Sequence, residues 1–93
     1  MRITSVTDNE EVFEFPCRFP VKVMGRDEPK FQAHVVKMIS SHVAGISAED
    51  VVTRPSSKGK FVSVTVTFTA ENRQQLDDVY RTLTSDEQVL YVL

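Results

Sequence analysis

Ninety-three residues, 41% hydrophobic and 26% charged, are enough for one small domain with a modest core. The net charge of −2 argues against a polyanionic partner, and the single cysteine, Cys17, excludes an intrachain disulfide and a cysteine-based zinc site. No stretch approaches the roughly 20 apolar residues that span a bilayer. The residues after Arg2 carry no continuous apolar run of the signal-peptide kind, so the sequence predicts a cytoplasmic protein without a membrane partner.

The first seventeen residues set Asp8, Glu10, Glu11 and Glu14 against Arg2 and show no clean period. Residues 1–13 read as a flexible N-terminal arm and 14–93 as a single domain, with Phe13 and Phe15 anchoring the arm. From Arg18 to Met24, Phe19, Val21 and Val23 alternate with polar or amphipathic neighbours, the period of a strand, and Gly25 is read as its end. Pro20 near its start predicts a frayed beginning.

Asp27-Glu28-Pro29 has the composition of a helix start, with an acidic cap and proline in the first turn. Phe31, Val35, Met38, Ile39 and Val43 then fall on one helical face, opposite Lys30, Lys37 and Ser41, and Gly45 closes the helix. A short strand is expected from Asp50 to Arg54, followed by a turn-forming run to Gly59. Residues 61–69 alternate Val62, Val64, Val66 and Phe68 with Ser63, Thr65, Thr67 and Thr69, a half-buried strand. Leu76, Val79, Tyr80 and Leu83 stripe a second helix over 72–83. The run from Val89 to Leu93 is wholly apolar and predicts a strand covered on both faces or paired centrally.

Strand, helix, strand, strand, helix, strand, with right-handed crossovers, places both helices on one side of a four-stranded antiparallel sheet. The predicted class is therefore α+β, a ferredoxin-like βαββαβ sandwich. Its other face, with Lys22, Met24, Ser63, Thr65, Thr67 and Thr69, is left without helices.

Arg54-Pro55-Ser56-Ser57-Lys58-Gly59-Lys60 joins three cations, two hydroxyls and a glycine, the ingredients of a small anion site. The plainer reading is a solvated hairpin, and neither phosphate-loop spacing nor a following helix is present. The run Lys58 to Val64 echoes the RNA-recognition signature on the third strand of this topology, but after Phe61 the exposed face offers Ser and Thr in place of stacking rings. His34 and His42 stand eight apart, too far along a helix to share a metal, and His42 reads as a half-buried residue with a local hydrogen bond. Cys17 has no histidine nearby in sequence. No grouping supplies nucleophile, base and oxyanion site together, so no catalytic residue is assigned.

Two stretches, Glu14 to Gly25 and Arg54 to Val64, together with their spacing and the ending Val89 to Leu93, resemble the YbeD family of small bacterial proteins. The Pro-Ser-Ser-Lys-Gly run is the most specific part. That resemblance implies a fold close to the ACT regulatory domains, which bind small molecules such as amino acids and often pair. It supplies no catalytic residue, because the family has no established activity. In ACT domains the ligand sits beside a glycine-containing turn after the first strand, which here matches Met24-Gly25-Arg26-Asp27.

The sequence thus predicts a non-enzymatic regulatory or interaction module without cofactor or metal, taking a small ligand or a partner protein. Homodimer formation is compatible with the topology. The candidate binding residues are Arg54, Ser56, Ser57, Lys58, Lys60, Gly25 and Arg26. The alternative is RNA or single-stranded nucleic acid on the 54–61 hairpin.

Overall fold

The computed structural model describes residues 14–56 and 59–93; the expected arm over 1–13 lies outside the described residues. The order is β1 (Cys17–Arg26), α1 (Phe31–Ser40), a 3-10 turn (Ala48–Asp50), β2 (Val51–Pro55), β3 (Phe61–Ala70), α2 (Arg73–Thr84) and β4 (Val89–Val92). The strands form one antiparallel sheet in the order β2-β3-β1-β4.

Alternation along the strands decides what is buried. Val21, Val23, Val64, Val66 and Phe68 turn to one side and are at most 1% exposed. Against them lie Phe31, Val35 and Ile39 of α1 and Leu76, Val79 and Leu83 of α2, each spaced to one helical face. Removing each such side chain from water is worth about 1.5–3 kcal/mol, which holds the helices to this face. Among the described residues no helix covers the opposite face.

Helix α2 starts at Arg73, one residue after the expected 72, and the side chain of Asn72 caps it, accepting the Gln75 N–H at 2.9 Å. Helix α1 has no such cap. Lys30 stands at its cap and makes no side-chain cap bond, while residues 28–30 form a turn in which the Glu28 carbonyl accepts the Phe31 N–H. The helix starts at Phe31, later than an Asp27 or Glu28 cap would place it, and the Asp27 N–H donates to the Lys60 carbonyl at 3.0 Å, tying this turn to the hairpin.

Three strand expectations need correction. Asp50 belongs to the 3-10 turn, and β2 starts at Val51. Gly25 does not end β1, which runs on to Arg26 with a bulge against β4 between Met24 and Gly25. Pro20 is not frayed: it pairs with Thr67. The reason is directional. Lys22 exchanges both main-chain bonds with Leu93, so the nitrogen of Pro20, two residues away, turns to the same side, past the last paired residue of β4. Its missing N–H breaks no ladder bond.

The apolar run at 89–93 is also misjudged from sequence. Among the described strands β4 lies at the edge and pairs with β1 alone, and Leu90, Tyr91 and Leu93 are 50%, 52% and 62% exposed.

Candidate functional site

Register aligns the uncovered face in rows. Arg54, Ser63, Met24 and Tyr91 make one row across the four strands; Val52, Thr65, Lys22 and Leu93 make the next. Arg26 lies opposite Phe61 at one end, and Arg18 opposite Thr69 toward the other. Thr65, Thr67 and Thr69 form a half-buried hydroxyl ladder along β3.

No Asp or Glu occurs in any of the four strands. Arg18 is neutralised from outside the sheet, bonding Asp50 at 2.7 Å and Thr69 at 3.3 Å. That guanidinium and, more strongly, the Ser47 backbone N–H hold the Asp50 carboxyl below the usual carboxylate range. Lys22, Arg26 and Arg54 are exposed and have no ion pair among the described residues.

The pairing of Arg26 with Phe61 brings together the two stretches singled out in the sequence, the turn after β1 and the hairpin after β2. Between them lies an open cavity of about 360 Å³ lined by Arg26, Asp27, Glu28, Gly59, Lys60 and Phe61. Ser56 closes the hairpin: its N–H donates to the Phe61 carbonyl at 2.8 Å, and its hydroxyl accepts the Phe61 N–H at 3.3 Å. Gly59 takes a φ of 71°, which a side chain would resist. Arg54 projects on the sheet face, two residues from the hairpin end. Ser57 and Lys58 lie outside the described residues.

Gly25 has a packing role. A Cβ there would run into the Phe31 ring, so the bare backbone is what lets that ring close over β1. A larger groove, about 490 Å³, lies between α1 and the 3-10 turn, with Ala33, Val36, Ile46 and Val51 among its lining residues.

The histidines link α1 and the turn after it to α2 and the turn after it. His34 Nε2 meets Asp86 Oδ1 at 2.9 Å, and His42 Nε2 meets Thr82 Oγ1 at 2.7 Å. The bond expected of His42 is therefore not local but reaches α2. Among the described residues no three His, Cys, Asp or Glu side chains gather as metal ligands would. No described helix is long and apolar enough to cross a membrane.

Sequence reasoning missed the breadth of the cationic face and its exposed Val52, Tyr91 and Leu93. The signal was nearly present: among the four predicted strands Asp50 alone is a carboxylate, and the structure moves it into the 3-10 turn.

The layered βαββαβ architecture with one bare sheet face is that of the ferredoxin-like, ACT-like domains. Solved structures agree on the fold. Protein HP0495 from H. pylori superposes with a TM-score of 0.71 at 13% identity, covering 87% of this chain and 85% of that one. The ACT domain of GTP pyrophosphokinase from Chlorobium tepidum gives 0.63 at 15%, covering 82% and 84%.

A family model described as "Protein of unknown function (DUF493)" matches residues 10–93. A UPF0250 protein of Paraburkholderia phymatum is 48% identical over 91% of this chain and 96% of its own length. One from Neisseria gonorrhoeae is 43% identical over 98% and 100%. The chain belongs to the DUF493 (UPF0250) family, the family of YbeD.

Proposed function

We propose that this chain is a non-enzymatic regulatory or interaction module that takes a small ligand or a partner protein on the uncovered face of its sheet. The observation that carries the reading is the one-sided cover: both helices spend their apolar stripes on one face, and the other presents exposed cations and apolar side chains. Surfaces of that composition mark binding sites. The ACT-like fold supports a regulatory role by analogy.

Titration of the isotope-labelled chain with amino acids and common metabolites, followed by NMR, tests the ligand branch. Shifts centred on β1 and β3, or at the turn after Gly25, are expected for a ligand. Flat spectra would remove that branch and leave protein docking. Conversion of any compound by the chain would overturn the non-enzymatic reading.

A second reading, single-stranded nucleic acid on the 54–61 hairpin, is favoured by one observation: the exposed Phe61 ring lies beside Arg26 and Lys60. It predicts oligonucleotide binding that weakens steeply with salt and on Lys58→Ala with Lys60→Ala. No retardation at low salt would end it.

A further inference from the structure

The chain sorts its charges by position. Its net charge is −2, yet every described carboxylate lies in a helix, turn or loop and none in a strand. Lys22, Arg26 and Arg54 stand on the bare face without an ion pair among the described residues. Asp27, Glu28 and Glu87 line cavities with Arg26 at one end of this patch, and Asp50 pairs with Arg18 at the other, leaving its middle without a carboxylate among the described residues. Among the described residues, four of the five exposed large apolar side chains, Val52, Phe61, Tyr91 and Leu93, share the same face.

One buried group points the same way. Ser63 lies between Arg54 and Met24 in the central row and is only 8% exposed, yet its hydroxyl has no hydrogen-bond partner among the described residues. A buried hydroxyl ordinarily has one.

We propose that this face docks an acidic, partly apolar segment of a partner protein, its carboxylates meeting Lys22, Arg26 and Arg54. The inference rests on the docking role proposed above and names the partner's chemistry. Lys22 and Arg26 are about 14 Å apart along β1, at roughly 3.4 Å per residue, with Arg54 about 10 Å to the side, two strands over. An extended segment that carries carboxylates and apolar side chains in turn on every second residue keeps both on one side, and so meets these cations and Val52, Phe61 and Tyr91 together. Charge complementarity excludes a basic partner. Protein is favoured over nucleic acid because Val52, Met24 and Leu93 give bases nothing to stack on. The two rings, Phe61 and Tyr91, are separated by β1 and form no continuous platform.

The test is an NMR titration of the full chain with a short synthetic peptide that carries Glu, Leu and Phe in turn on every second residue and Ser between them, at low and high salt. Controls are the same peptide with Lys for Glu, and a polyuridine oligonucleotide. Shifts centred on Lys22, Ser63 and Arg54 are expected, with affinity falling about tenfold or more in the variant Lys22→Glu/Arg26→Glu/Arg54→Glu. Should that variant lose its dispersed spectrum, the single change Arg54→Gln, at an exposed edge position, is expected to weaken binding about threefold.

Absence of shifts on this face, equal binding of the Lys peptide, or unchanged affinity in both variants would overturn the proposal. Tighter binding of polyuridine there would also overturn it, in favour of nucleic acid. If a metabolite binds and the acidic peptide does not, this inference falls while the module reading stands; catalytic turnover would remove the module reading alone.

Discussion

The Phe31 ring lies against the bare Cα of Gly25, where an added Cβ would collide with the ring and come within 2.9 Å of the Gln88 carbonyl oxygen. Three segments meet at this point: β1, the first turn of α1, and the chain leading into β4. Gly25→Ala is therefore expected to destabilise the domain by about 1–3 kcal/mol through overpacking. Urea denaturation measures it, and combining the change with Phe31→Leu should recover part of the loss.

Asn72 satisfies the Gln75 N–H at the start of α2. Asn72→Ala should cost about 1 kcal/mol, whereas Asn72→Asp should stay within a few tenths, because the carboxylate accepts the same bond. Equal losses for both would show that the cap contributes little.

His42, in the turn after α1, meets Thr82 of α2 through one side-chain bond of 2.7 Å, and the His42 carbonyl accepts the Gln75 side-chain N–H at 2.9 Å. Thr82→Val and His42→Ala should each lower stability by about 1 kcal/mol. In a double-mutant cycle the two losses should not add, since each removes the same bond.

Asp50 accepts from the Ser47 N–H and from Arg18, and its carboxyl is held below the ordinary range. The folded state thus favours the ionised form. This contribution is in place above the unfolded carboxylate value and is lost as pH falls through the lower, folded value. NMR titration should place Asp50 below a free aspartate, and Asp50→Asn should flatten the acid limb of the stability profile. Arg18→Gln should move the Asp50 titration back up, yet only in part, because the Ser47 bond remains.

Much of the fold was legible in local periodicity. The stripes Phe31-Val35-Ile39 and Leu76-Val79-Leu83, and the alternation of β3, each depend on neighbours within a turn or two of chain. What local pattern does not carry is which strand lies beside which. The run at Val89 to Leu93 looked fully covered because apolar residues fill both faces. Only the pairing of Leu93 with Lys22, distant in sequence, makes it an edge.

Gly25 was legible as a special position but for a different reason. Its contact with Phe31 requires the chain to fold back over the turn. Likewise Lys22, Arg26 and Arg54 were visible as separate cations, and register alone puts them on one face.

Pro20 also bears on how the molecule behaves in a crowd. Among the described strands, β1 has no neighbour on its β4 side before Lys22, so a stretch of sheet border stands ready to template stray strands. Of the amides turned to that border, the one at position 20 is absent and the one at 18 belongs to a charged arginine. A foreign strand laid there would find one donor missing and a guanidinium beside it. The residue that looked like a flaw in β1 thereby makes this border a poorer template for a foreign strand.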